Sequence, residues 1–66
     1  MYYTLIILEL GQWNVQFGSF DKSEVKEELQ CWIDSYETPR SHCLIIATAE
    51  DQSAIDKAVN KLNESI

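Results

Sequence analysis

Cys31, His42 and Cys43 carry the most reactive side chains of the 66-residue chain. A thiol next to an imidazole suggests either an activated cysteine nucleophile or part of a zinc site. A structural zinc site takes four ligands in paired short spacings. The chain offers three, and only His42 and Cys43 lie close in sequence. Neighbours on a strand point to opposite faces, so His42 is badly placed to activate Cys43. Gly11 and Gly18 are the only glycines, each explained by a turn or a strand end, so a glycine-rich phosphate loop is missing. No catalytic residue, metal or cofactor is therefore expected, and the chain is not expected to be an enzyme. His42 reads as a capping or surface residue and the cysteines as small apolar side chains. Two cysteines allow at most one bridge, and their placement in mid-helix and at a strand start favours free thiols in a reducing cytoplasm.

Charge is the second candidate for chemistry. Five basic against eleven acidic residues give a net charge of −6. That is the wrong sign for holding nucleic acid through its phosphates. The acids concentrate between positions 21 and 37, where Asp21, Glu24, Glu27, Glu28, Asp34 and Glu37 face only Lys22 and Lys26. Glu24 and Glu28 stand four apart, a like-charge spacing that costs a few tenths of a kcal/mol in a helix. Such a surface suits a partner rich in Arg and Lys, with Glu24, Glu27, Glu28 and Asp34 as the binding face. The simpler use of the same charge is solubility.

Five elements must position these groups. The apolar, β-branched and aromatic run Tyr2 to Leu10 reads as a strand. It lacks a basic leader and is too short to span a bilayer, so neither a signal peptide nor a membrane anchor is expected from it. With Gly11-Gln12 as a II′ loop, Trp13 to Gly18 returns as the second strand of a hairpin. That register sets Leu10 opposite Trp13, Leu8 opposite Val15 and Ile6 opposite Phe17 on one apolar face. Asp21 with Glu24 resembles a capping box, and Phe20 can staple onto Val25, so a helix starts at Lys22. Val25, Leu29, Trp32, Ile33 and Tyr36 form its stripe until Thr38-Pro39. Cys43 to Ala47 reads as a third strand. Thr48 with Asp51 offers a second cap before the stripe Ile55, Ala58, Val59, Leu62 and Ile66. Trp13 and Trp32 fall in phase with these core stripes.

The expected fold class is α+β: a single ββαβα domain over residues 1–66, with a three-stranded, mainly antiparallel sheet in the order 2-1-3 and both helices packed on one face. Sixty-six residues can build only one core, and an apolar fraction of 45% with 24% charged residues is that of a folded domain. With both helices on one side, the other side of the sheet stays open. Tyr3, Leu5, Ile7, Leu44 and Ile46 are its expected partner or dimer interface.

These features combine into an expectation of a protein-binding module. A compact, acidic chain with no enzyme signature and an uncovered apolar face resembles, in type, the small accessory proteins of bacteriophages, including anti-CRISPR and other anti-defence or host-takeover inhibitors. The resemblance implies action in the host cytoplasm by occupying a surface of another protein, without direct contact to nucleic acid or membrane. It carries no family residues onto numbered positions. The alternative expectation is a homodimeric structural or adaptor subunit with no inhibitory role.

Overall fold

Strand β1 (Tyr2–Glu9) has no polar alternate between Leu5 and Leu8, and in the computed structural model it is the central strand. The structure describes residues 1–65; Ile66, expected to end the last apolar stripe, lies outside them. β1 is followed by β2 (Gln12–Ser19), α1 (Lys22–Tyr36), a single 3-10 turn (Arg40–His42), β3 (Cys43–Thr48) and α2 (Gln52–Glu64). The sheet order is β2-β1-β3, with β1 antiparallel to both neighbours. This is the α+β arrangement that the sequence pattern predicts.

The placement of the helices differs from the expectation. α1 lies on the face of Tyr3, Leu5, Ile7, Phe17, Cys43 and Ile45, packing Val25, Leu29 and Trp32 against it. α2 lies on the other face, packing Ile55, Val59 and Leu62 against Tyr2, Ile6, Trp13 and Ile46. Thr4, Leu5, Ile6 and Ile7 are consequently all buried, which a strand covered on one side alone could not achieve. The reason lies in β1 itself. A strand that is apolar on both faces needs cover on both, and full burial of each aliphatic side chain contributes about 1.5–3 kcal/mol.

The hairpin loop also lies one residue earlier than expected, which shifts the pairing by two. Glu9 pairs with Gln12, so the loop is Leu10-Gly11 rather than Gly11-Gln12. Both loop residues have positive φ, 52° and 77°, as a type I′ turn requires. Leu10 adopts this conformation at a cost of about 1–2 kcal/mol and projects fully into solvent. Leu8 therefore faces Trp13 and Ile6 faces Val15. A bulge at Gln16 then shifts the pairing, so that Leu5 faces Phe17. That one extra residue sends Phe17 to the α1 side and leaves Trp13 and Val15 on the α2 side. The expected single apolar face is thus divided: Trp13 joins the α2 core, Phe17 the α1 core, and Val15 stays exposed.

The starts of both helices follow one local rule. Asp21 and Asp51 each adopt extended backbone angles and accept from the N–H two residues on, Ser23 and Ser53, both at 2.9 Å. The capping box at Asp21 is relayed. Ser19 Oγ accepts from the Asp21 N–H at 3.0 Å and donates to the Glu24 carboxylate at 2.8 Å. Phe20 meets Tyr2 edge to face, with ring centroids 5.0 Å apart, and stays largely exposed. Thr48, expected as the second cap, is instead the last residue of β3 and donates its hydroxyl hydrogen to the Ala49 carbonyl. Three more residues separate strand from helix because α2 must cross to the far side of the sheet before it starts.

Candidate functional site

The expected sheet interface is dismantled by this packing. Leu5 and Ile7 are 0% and 1% exposed beneath α1, with Tyr3 half-buried beside them. Leu44 and Ile46 sit on the opposite face, where Ile46 packs under α2. Of the five residues only Leu44, at 37% exposure, still presents a large apolar surface. The five were grouped on the premise that both helices share a face. With one helix on each face, Tyr3, Leu5 and Ile7 join one core and Ile46 the other, while Leu44 joins neither.

The acidic set is brought together. At about 100° per residue, Glu24, Glu27, Glu28 and Asp34 fall within one arc of α1, roughly opposite the stripe of Val25, Leu29 and Trp32. Glu24, Glu27 and Asp34 are exposed and Glu28 is half-buried. Lys22 and Lys26 lie outside this arc, and Lys22 places its ammonium 5.8 Å from the centre of the Tyr3 ring. The hydrogen bonds on the arc are to neutral groups: Glu24 with Ser19, and Asp34 accepting from Gln30 at 3.0 Å. Cys31 lies in the same arc as an exposed free thiol, 3.7 Å from the Ser35 hydroxyl.

Cys43 and His42 form no reactive pair. The Cys43 thiol points back to the Pro39 carbonyl at 3.7 Å, and the His42 N–H donates to that same carbonyl at 2.8 Å, closing the 3-10 turn. Partial burial pushes the Cys43 thiol up, and the nearby Arg40 guanidinium only partly offsets this. Burial therefore favours the protonated thiol, the opposite of what a nucleophile needs. Among the described residues no three His, Cys, Asp or Glu side chains converge as a metal would require. No described helix is long and apolar enough to cross a membrane.

Two features escaped sequence reasoning. Beside the bulge, the sheet and the first turn of α2 enclose a cleft of about 220 Å3, walled by Tyr2, Val15, Gln16, Gly18 and Gln52 over Thr4. It is smaller than the roughly 300–1,000 Å3 of small-molecule pockets, and no ligand is assigned to it. The second is the contrast between the two sheet edges. On β2, the Asn63 amide of α2 pairs with the backbone of Trp13 in both directions, at 2.6 and 3.3 Å. β3 has no bulge, no proline and no charged residue. The only sequence signal for the contrast is the absence of charge between Cys43 and Thr48.

Three groups of residues on this fold thus face outward with something to offer a partner: the acidic arc of α1, the edge of β3 and the small cleft. Compared with protein-family models, with curated protein sequences and with solved structures, the chain matches none.

Proposed function

We propose that the chain is a small acidic protein-binding module that occupies a basic surface of a partner protein through the outward arc of α1. The observation that carries this reading is the segregation of charge on α1. Glu24, Glu27, Glu28 and Asp34 share one side, the lysines of the helix stand apart, and the apolar stripe is consumed by the sheet. Both apolar faces of β1 are committed to the chain's own helices, so an acidic surface replaces the apolar sheet face as the means of recognition. Binding of this kind blocks whatever the basic surface would otherwise hold. An inhibitor of the phage anti-defence type, working in the host cytoplasm, is its specific form. Direct contact with nucleic acid or membrane has no place in this mechanism, because a net charge of −6 is repelled by both phosphates and anionic lipid.

Affinity capture tests the proposal. The immobilised chain is compared with a Glu27→Lys/Asp34→Lys variant, and retained proteins are identified by mass spectrometry. A partner retained by the wild type, released as salt shortens the Debye length from about 10 Å at 0.1 M to about 3 Å at 1 M, and lost with the variant supports it. A partner held equally by both forms at high salt overturns it.

A further inference from the structure

We propose that the free edge of β3 pairs antiparallel with β3 of a second copy, joining two three-stranded sheets into one of six strands. This goes beyond the partner-binding role of α1 and does not depend on it. The direction of the backbone groups follows from the hairpin. Glu9 and Gln12 flank a two-residue loop and so bond to each other, and alternation along β1 turns the backbone groups of Tyr2, Thr4 and Ile6 toward β3. Their partners Thr48, Ile46 and Leu44 are thereby engaged. The groups of Cys43, Ile45 and Ala47 point away from the sheet. The Cys43 N–H is taken up by the Arg40 carbonyl, which leaves Ile45 and Ala47 as the open donors.

The two edges are treated differently. Proteins protect exposed edges with bulges, charges, prolines or covering side chains. β2 carries the Gln16 bulge and has its outward Trp13 groups capped by Asn63. β3, reading Cys-Leu-Ile-Ile-Ala-Thr, carries none of these, and Leu44 leaves 37% of its surface exposed there.

Charge at the ends of β3 selects a second copy, in antiparallel orientation. Exposed Arg40 precedes the strand, and exposed Glu50 and Asp51 follow it. A twofold axis at Ile45 sets Ile45 against itself, Cys43 against Ala47 and Leu44 against Ile46. The antiparallel arrangement turns the Arg40 end of each β3 toward the Glu50-Asp51 end of the other, and the symmetry makes that approach twice. Parallel pairing would instead set Arg40 beside Arg40 and Glu50 beside Glu50. The central contacts are uncharged, so neither copy's excess negative charge is forced into the pairing.

Sedimentation equilibrium on the full chain, from micromolar to millimolar concentration, tests this. The wild type is expected to approach twice 7.6 kDa. Ala47→Pro removes an outward N–H at an edge position that tolerates proline, and is expected to hold the chain at 7.6 kDa with its circular dichroism unchanged. Leu44→Lys, which charges the edge without touching the backbone, is expected to do the same and serves should the proline disturb the fold. Arg40→Glu and Glu50→Arg each turn two attractive contacts repulsive and are expected to weaken the dimer about tenfold, while the double reversal restores it. A wild type that stays monomeric throughout overturns the proposal. So does a dimer indifferent to both edge variants, or a double reversal no tighter than the single ones.

Discussion

The side chain of Asn63 stands in for a strand beside Trp13: its Oδ1 accepts from the Trp13 N–H at 2.6 Å, and its Nδ2 donates to the Trp13 carbonyl at 3.3 Å. The two residues are 50 apart in sequence, so this single amide ties the last turn of α2 to the edge of the hairpin. Each bond contributes about 0.5–1.5 kcal/mol net. Asn63→Ala is therefore expected to destabilise the chain by about 2 kcal/mol, read as a fall in the denaturation midpoint at constant m-value. Asn63→Asp keeps the acceptor but turns a carboxylate oxygen toward the Trp13 carbonyl. It should cost at least as much at neutral pH and less in acid, where the protonated carboxyl can donate.

Gly18 makes room for Tyr2. A Cβ on Gly18 would run into the Tyr2 hydroxyl oxygen and lie 2.8 Å from two ring carbons, and that ring also packs edge to face with Phe20. Gly18→Ala is expected to destabilise by about 1–3 kcal/mol through overpacking, despite the better strand propensity of alanine. In a Tyr2→Ala background the same change should cost less than about 0.5 kcal/mol, because the obstructing ring is gone. A double-mutant cycle in denaturant measures the difference. Equal costs in the two backgrounds would show that the ring is not the obstacle.

The two aspartate caps carry a similar test. Asp51 accepts from the Ser53 N–H, whereas Thr48 is still in strand. Asp51→Ala is expected to cost about 1 kcal/mol and Thr48→Ala less than half as much, by thermal unfolding. Asp21→Ala is expected to match Asp51→Ala at about 1 kcal/mol, because the Ser19 hydroxyl accepts from the Asp21 backbone N–H and its bond to the Glu24 carboxylate survives the substitution.

How legible the fold was depends on the range of the signal. The bounds of α1 could be read because cap, stripe and stop lie within one stretch from Asp21 to Pro39, and the strand order followed from β1 being the most apolar strand. The hairpin register could not, because Leu10 at positive φ contradicts its own preference and the Gln16 bulge leaves no local mark. The turn leaves Trp13 on its expected side, with Ile6, and the bulge alone sends Phe17 to the other. The side of the sheet taken by each helix is a long-range outcome as well. The clue was available in the unbroken apolar run from Leu5 to Leu8, which reads equally as an open interface or as a strand covered twice. The acidic arc survived because helical phase alone places it, whereas the Asn63 clamp joins residues that no local pattern connects.

That ambiguity in β1 yields the sharpest test of the fold. If Leu5 and Ile7 formed an open surface, a charge there would alter association and leave the monomer folded. The structure buries both under α1, against Val25. A stability of about 0.05–0.15 kcal/mol per residue gives a chain of 66 residues only a few kcal/mol in hand. Leu5→Ala alone is expected to remove about 2–5 kcal/mol, and Leu5→Asp, which adds an unpaired buried carboxylate, should leave the chain unfolded at 25 °C. Leu44→Asp, on the same sheet but at its exposed edge, is expected to stay folded, within about 1 kcal/mol of the wild type. Far-ultraviolet circular dichroism of the three variants distinguishes the cases. A folded Leu5→Asp protein would mean that α1 does not cover this face of the sheet.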